Sequence, residues 1–223
     1  MLAWQRQVNL SKFITAQVAL SAIKQKCIFE NKIQCMRKLK LQMQMTIDGF
    51  VAGPDGQLDW MCTEMDASQL QLLQELTESM DTILLGRKMT EGFTTYWEHV
   101  VNNQPESPEY PYAKIFVDTP KIVFSKTITT VAGKNAVVEN GDLVEAVNKL
   151  KNQEGKDMIV YGGAGFVSEL ISHNLIDELY LFINPVAIGN GLKIFTGRFN
   201  FKLLKSTSCS NGVVVNQYKL SDN

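Results

Sequence analysis

The stretch from Ile159 to Phe195 limits the possible folds of this chain more than any other. It reads I-V-Y-G-G-A-G-F-V-S-E-L-I-S-H-N-L-I-D-E-L-Y-L-F-I-N-P-V-A-I-G-N-G-L-K-I-F. Ile159 to Tyr161 is a short apolar run of the kind found in buried strands. Gly162, Gly163 and Gly165 follow and let the backbone come close to another group. Phe166, Leu170 and Ile171 recur at helical spacing, so a helix is expected from about Ala164, ending at Asn174, a residue that tolerates the left-handed conformation. Glu178 to Pro185 reads as a second strand, apolar enough to be central and closed by Pro185. Strand, glycine turn, helix and strand make a βαβ unit, which requires a parallel or mixed sheet around it.

A helix N-terminus presents unpaired N–H groups and a partial positive charge, which suit a phosphate. The glycines of this turn have two readings: a tight turn only, or a cradle for an anion. G-G-A-G is not a full G-x-G-x-x-G, so spacing alone leaves both open.

Y-G-G-A-G-F, L-I-D-E-L-Y-L-F-I-N-P-V and G-N-G-L-K-I-F together resemble the C-terminal reductase domain of the bifunctional riboflavin-biosynthesis deaminase/reductase. They are still more similar to the stand-alone bacterial proteins of the dihydrofolate-reductase-like superfamily that share this domain. The resemblance runs from Met36 to the C-terminus. It implies a three-layer α/β/α fold of dihydrofolate-reductase type, with a mostly parallel central sheet and antiparallel C-terminal strands. It also suggests a cis bond between Gly162 and Gly163.

With 223 residues, 45% hydrophobic and 20% charged, the chain fits one ordinary globular domain or at most two small ones. It has no run of eighteen apolar residues, so no membrane span is expected. A net charge of -1 argues against a general nucleic-acid binder. Residues 1–40 hold eight Lys/Arg against the single acid Glu30, while the remainder is acidic. That asymmetry, and a resemblance that starts only at Met36, make residues 1–35 an expected extension outside a domain spanning 36–223. The four cysteines (27, 35, 62 and 209) and two histidines (99 and 173) show no metal-binding spacing, so no metal is expected, and free thiols in a reducing cytoplasm are.

Leu39, Leu41, Met43 and Met45 alternate as in a strand with one buried face. T-I-D-G-F-V-A-G-P-D-G-Q-L-D-W-M follows, and its mixture of glycine and large apolar groups reads as a lid or pocket wall, or as a hairpin packed on the core. It is similar to the family's first loop, and G-Q-L-D-W to the G-x-L-P-W of dihydrofolate reductases, with Asp59 in place of the proline. There the loop closes over the nicotinamide, and a carboxylic acid soon after the tryptophan aids protonation. The candidates here are Asp48, Asp59, Glu64 and Asp66, with Trp60 beside them. A carboxyl in an apolar pocket can hold its proton near neutral pH, whereas Asp66 also stands where a helix N-cap is needed. The helix expected over Ala67 to Met80, burying Leu70, Leu73, Leu76 or Thr77, and Met80, has no Lys or Arg. The riboflavin-pathway reductases use basic residues in this helix to hold a ribose phosphate.

Thr82 to Leu85 reads as a strand running into L-G-R-K-M-T. Gly86, Arg87 and Lys88 at a strand end and helix start make a second anion site. This segment resembles the G-R-K/R-T of dihydrofolate reductases, which holds the cofactor's phosphates. Met89 replaces the threonine there, so its hydroxyl is lost or supplied by Thr90. Val101 to Pro120 reads as loop with a short helix over Tyr112 to Val117, its aromatics serving as a pocket wall or as packing. Lys121 to Phe124 is a strand ending in Ser125 and Lys126, where family members place a serine and a basic residue against the adenosine 2′-phosphate. Asn135 to Glu139 is a further strand, Asp142 caps a helix to Lys151, and Phe201 to Thr207 and Val213 to Leu220 pair around Asn211-Gly212.

Three strand ends thus carry anion-binding groups: Gly86 to Lys88, Ser125 with Lys126, and Gly162, Gly163, Ala164, Gly165 and Phe166. In open α/β sheets ligands gather at the carboxyl ends of strands. The resemblance implies an NADPH-dependent reductase that passes hydride to a C=N or C=O of a pterin-like or pyrimidine-like heterocycle, of dihydrofolate reductase or 5-amino-6-(5-phosphoribosylamino)uracil reductase type. The alternatives are a nucleotide- or flavin-binding protein without turnover, and a structural dimer. Family precedent, with an exposed strand edge expected near Val213 to Tyr218, implies a homodimer.

Overall fold

Leu39, Leu41, Met43 and Met45 all point into the protein, and each is at most 5% exposed. They lie on β1 (Leu39–Thr46). The opposite face of this strand is not solvated as the alternation predicts. Lys40 and Thr46 are buried too, because β1 lies between two parallel strands in the middle of the sheet with helices on both sides. The Lys40 ammonium is satisfied there by Asp157 at 2.8 Å and the Ser79 hydroxyl at 2.9 Å.

The computed structural model describes residues 36–62 and 64–221. The extension expected over 1–35 lies outside the described residues. After β1 come α1 (Ala67–Glu78), β2 (Met80–Gly86), α2 (Arg87–Asn103), α3 (Tyr110–Asp118), β3 (Lys121–Phe124), β4 (Ala136–Glu139), α4 (Leu143–Lys151), β5 (Asp157–Val160), α5 (Ala164–Ser172), β6 (Glu178–Asn184), β7 (Phe201–Ser208) and β8 (Val214–Leu220). The strands form one sheet in the order β4-β3-β2-β5-β1-β6-β8-β7. Pairing is parallel from β4 to β6 and antiparallel for β6–β8 and β8–β7.

Alternation along the central strands feeds two cores. Leu84 packs with Leu41, Val160, Val147 of α4 and Leu170 of α5 on one face. Its neighbours Ile83 and Leu85 pack with Leu76 of α1, Phe116 of α3 and Phe182 on the other. These two cores make the fold a three-layer α/β/α sandwich with a mostly parallel sheet and antiparallel C-terminal strands. The strand starts are held by charge: Arg37 pairs with Asp81, Lys38 with Glu178 at 2.7 Å and Lys151 with Asp177 at 2.6 Å.

Several elements differ from expectation. α1 stops at Glu78, and Met80 opens β2 because it pairs with Asp157 of β5. Leu70 is exposed; buried Gln69 takes the inner position, because its amide closes a capping box with Asp66. The segment 101–120 is mostly helical, with Pro111 in the first turn of α3, where a missing N–H costs nothing. β8 is not an edge. It lies between β6 and β7, so the free edge on that side is β7, where Leu203 and Leu204 are exposed.

Lys121 begins β3 almost wholly buried. Its ammonium donates to the carbonyls of Phe116 (2.8 Å), Val117 (3.1 Å) and Thr119 (2.8 Å), which closes the C-terminus of α3. Burial pulls its pKa down to about 8 from 10.5. The unfolded chain therefore binds this proton more tightly than the folded one, and the Lys121 contribution makes stability rise as pH climbs from about 8 towards 10.5. Urea unfolding at several pH values should show this rise in the wild type relative to Lys121→Met.

Candidate functional site

The order of the sheet makes β3, β2 and β5 neighbours, so their carboxyl ends lie side by side. Register puts Phe124 beside Gly86, and Leu84 beside Val160. The three turns singled out in the sequence follow these ends directly, at Gly86 to Lys88, Ser125 with Lys126, and Gly162 to Phe166. All three lie along one stretch of the sheet margin.

The turns touch. A Cβ on Gly86 would stand 2.7 Å from the Cβ of Phe166, and one on Gly162 would stand 3.0 Å from the Met89 sulfur. Gly163 has φ +85°, a left-handed conformation that favours glycine. The peptide bond between Gly162 and Gly163 is trans, not cis as the resemblance suggested; the turn is made by the left-handed Gly163. Phe166 in turn stacks on Phe124 at the end of β3, with ring centroids 5.3 Å apart.

The helices that start along this margin differ in their caps. Asp66 caps α1 and Asp142 caps α4, each carboxylate accepting first-turn N–H groups. The N-caps of α2 and α5 are Gly86 and Gly163, with no side-chain cap and no acid in the first turn. Two helix N-termini thus meet at the touching turns with their N–H groups open, and Arg87 and Lys88 are exposed beside them. This arrangement fits a diphosphate. Thr90 does not supply the hydroxyl that Met89 lacks. It is buried and donates to the Gly86 carbonyl at 3.1 Å.

Ser125 is buried, and its hydroxyl accepts the N–H groups of Thr127 (3.1 Å) and Ile128 (3.2 Å), which fixes the turn after β3. The exposed Lys126 ammonium donates to the carbonyls of Asn140, at 3.1 Å, and Gly141. The pair thus stands beside the cradle on a shaped turn, the lysine held by neutral acceptors.

The first loop leaves β1 on the same margin. Asp48 is exposed, and its carboxylate accepts from the Thr46 hydroxyl (2.5 Å) and from the N–H groups of Gly189 (2.7 Å) and Ile188 (3.1 Å). Led by the Thr46 bond, these hold its pKa below the usual value. Asp48 therefore clips the first loop to the loop after β6, reinforced by the Ala52 and Leu192 backbone pair. Asp66 is likewise held ionised, by the N–H groups of Gln69 and Ser210. Asp59 and Glu64 are exposed, and Trp60 is half-buried with its indole N–H donating to the Gln57 carbonyl at 3.2 Å. No carboxyl of this loop sits in an apolar pocket. The aromatics of α2 and α3 mainly pack: Trp97 meets Phe116 at 4.7 Å, and Phe93 stacks on Tyr161 at 6.0 Å.

Sequence reasoning missed a polar chain on the α1–α3 face of the sheet. Asn184, at the end of β6, is fully buried; it accepts from the Cys62 N–H at 2.9 Å and donates to the Gln44 side-chain oxygen at 2.8 Å. The one sequence signal was an asparagine ending an otherwise apolar strand. A 410 Å³ hollow lined by Glu98, Val101, Asn102, Val117, Gly133 and Lys134 lies elsewhere. Glu98 is eleven residues along α2 from Arg87, about 16 Å down the helix axis, and Lys134 is already paired with Asp118. The hollow is therefore separate from the glycine turns.

Fold and margin together define a dihydrofolate-reductase-like α/β protein. The chain belongs to the RibD C-terminal domain family, whose pattern matches residues 37–215, and this is a reductase-type family. It is 34% identical over 181 residues to the uncharacterized protein YyaP of Bacillus subtilis (strain 168), covering 80% of this chain and 92% of that one. Among solved structures it is similar to the diaminohydroxyphosphoribosylaminopyrimidine deaminase/5-amino-6-(5-phosphoribosylamino)uracil reductase of Thermotoga maritima. There the TM-score is 0.59 and identity 17%, over 83% of this chain and 57% of that one. It is also similar to dihydrofolate reductase from Enterococcus faecalis complexed with NADP(H), with TM-score 0.55 and identity 16% over 83% and 97% of the two chains.

Gly86→Ala places a methyl group against a backbone-anchored Cβ. It should cost about 1–3 kcal/mol in urea unfolding. Phe166→Ala keeps that Cβ and should not relieve the strain, whereas Phe166→Gly in the same chain should.

Proposed function

We propose that this chain is an NADPH-dependent reductase that passes hydride to a C=N or C=O bond of a pterin-like or pyrimidine-like heterocycle. The observation that carries the reading is the meeting of two uncapped helix N-termini, α2 and α5, at glycines that touch across the strand ends. In this reading Gly86, Arg87, Lys88 and Gly162 to Phe166 hold the diphosphate, and Ser125 and Lys126 face the adenosine 2′-phosphate. The solved relatives support it: one is named a uracil reductase, and another is a dihydrofolate reductase complexed with NADP(H).

Bound NADPH supplies the hydride, and the chain supplies orientation and exclusion of water. The first loop, with Asp48, Asp59, Trp60 and Glu64, covers the reacting end. Asp48 shapes the loop through its clip to Ile188 and Gly189, and Asp59 and Glu64 are the carboxyls free to approach a ligand. α1 carries no cation, which favours a substrate without a ribose phosphate. A nucleotide-binding protein without turnover is the second reading, favoured by the exposure of all these carboxyls. The protein works in the cytoplasm in this reading, consistent with the free thiols of Cys62 and Cys209, and as a homodimer through the β7 edge.

A thermal melt tests the cofactor. At a hundredfold excess over Kd the ligand adds about 2.7 kcal/mol, so NADPH should raise the melting temperature by several degrees and NADH by much less. Lys126→Ala should remove most of the NADPH advantage while leaving NADH unchanged; equal loss for both would remove the 2′-phosphate role. A chain beginning at Met36 should melt and bind NADPH as the full chain does, since residues 1–35 are an extension outside the reductase fold in this reading.

A further inference from the structure

The amide chain ending at Gln44 has a fixed direction. The Cys62 backbone N–H can only donate, so the Asn184 atom that meets it at 2.9 Å is the side-chain oxygen. The Asn184 nitrogen is therefore turned the other way, where it donates to the Phe182 carbonyl at 3.1 Å and to Gln44 at 2.8 Å. A donor on that side obliges Gln44 to present its oxygen inward. Its Nε2, with two N–H donors, must then face away from Asn184.

That nitrogen has no acceptor among the described residues. Gln44 is half-buried. Among the described residues no side-chain nitrogen or oxygen is both fully buried and unpartnered, so Nε2 is reachable from outside. A half-buried amide with two unmet donors gains from a matching acceptor. Gln44 points to the face opposite Leu41, Met43 and Met45, the side covered by α1, α2 and α3. Its strand, β1, is the immediate neighbour of β5, which ends in the glycine turn. A molecule accepting from Gln44 therefore lies one strand away from the cofactor cradle.

We propose that Gln44 determines substrate specificity by donating from Nε2 to a ring carbonyl, that Asn184 is the residue that positions it, and that the substrate is a heterocycle with a lactam edge. The inference rests on the reductase reading and names the substrate class of the same site. A lactam C=O accepts from Nε2; the corresponding ring amine has two donors there and is left facing two more. Gln44→Glu has the same shape and still accepts from Asn184, but replaces the outward donor with an acceptor. It therefore inverts what the site reads. Asn184→Asp does the same without touching the ligand: it has no donor for Gln44, so the Gln44 amide turns over and shows its oxygen.

The test uses the full chain saturated with NADPH and two matched pairs of probes: pterin against 2,4-diaminopteridine, and 5-aminouracil against 5-aminocytosine. Kd is read by quenching of tryptophan fluorescence. The wild type should bind the oxo member of a pair about tenfold or more tightly than the amino member. Gln44→Glu should reverse the order, as should Asn184→Asp, while the melting shift caused by NADPH stays as in the wild type. Binding of neither oxo probe to the wild type, or an unchanged order in Gln44→Glu, overturns the specificity role. An unchanged order in a folded Asn184→Asp overturns the positioning role, and should that variant not fold, the order in Asn184→Ser, expected to fall towards parity, decides it. Absence of any NADPH shift in the wild type would instead overturn the parent reading, so the two failures are distinguishable.

Discussion

The insertion of β5 between β1 and β2 is the constraint on which the rest of this structure depends. These strands are consecutive neighbours in space and far apart in the chain. Placing β5 there brings its glycine turn against Gly86 and sets the N-termini of α5 and α2 on the same margin. It also gives β1 a parallel strand on each edge, and with helices over both faces even Lys40 is drawn inside and paired. A buried ion pair of this kind contributes little net stability. At the opposite margin of the sheet, Arg37, Lys38, Lys40 and Lys151 are each matched by a carboxylate. The sheet thus has one margin where charges are paired internally and one where two uncapped helix ends lie beside the exposed Arg87 and Lys88.

Capping differs among the helices that start at this second margin. α1 and α4 end in carboxylates that consume their own N–H groups, while α2 and α5 begin at glycines that cannot. The cost is small and local, because glycine in place of a capping side chain forgoes only about a few tenths of a kcal/mol. α3 starts without a side-chain cap as well, but only α2 and α5 reach the touching turns, where in the proposed reading a diphosphate would restore the lost hydrogen bonds.

Much of this was legible in the sequence because its signals are local. An apolar run followed by Gly162 and Gly163, a strand end followed by Gly86-Arg87-Lys88, and Asp66 or Asp142 ahead of helical spacing each declare an element within a few residues. The short helix over Tyr112 to Val117 was legible, but Pro105, Pro108 and Pro111 hid its start at Tyr110 and the run of α2 as far as Asn103, although a proline in the first turn is compatible with a helix. The edge strand was misjudged because chain order does not reveal that β8 passes inside β7. The Gln44–Asn184–Cys62 chain was invisible for the same reason: its members face one another only after β1 and β6 have paired. The carboxyls of the first loop looked like acids in an apolar setting. Whether Asp48 is free or held depends on N–H groups at Ile188 and Gly189, about 140 residues away in the chain, in the loop after the neighbouring strand β6.

The late arrival of β5 has a consequence for how the protein comes into being. A chain synthesised only as far as β4 contains Gly86, Arg87, Lys88, Ser125 and Lys126. It lacks the second helix end, and β1 and β2 have no strand between them. Such a fragment has only one of the two helix ends that the proposed site uses. In the proposed reading the two helix ends come together only after the fifth strand has entered the gap, so a ligand that needs both can assist only a chain that has reached that stage.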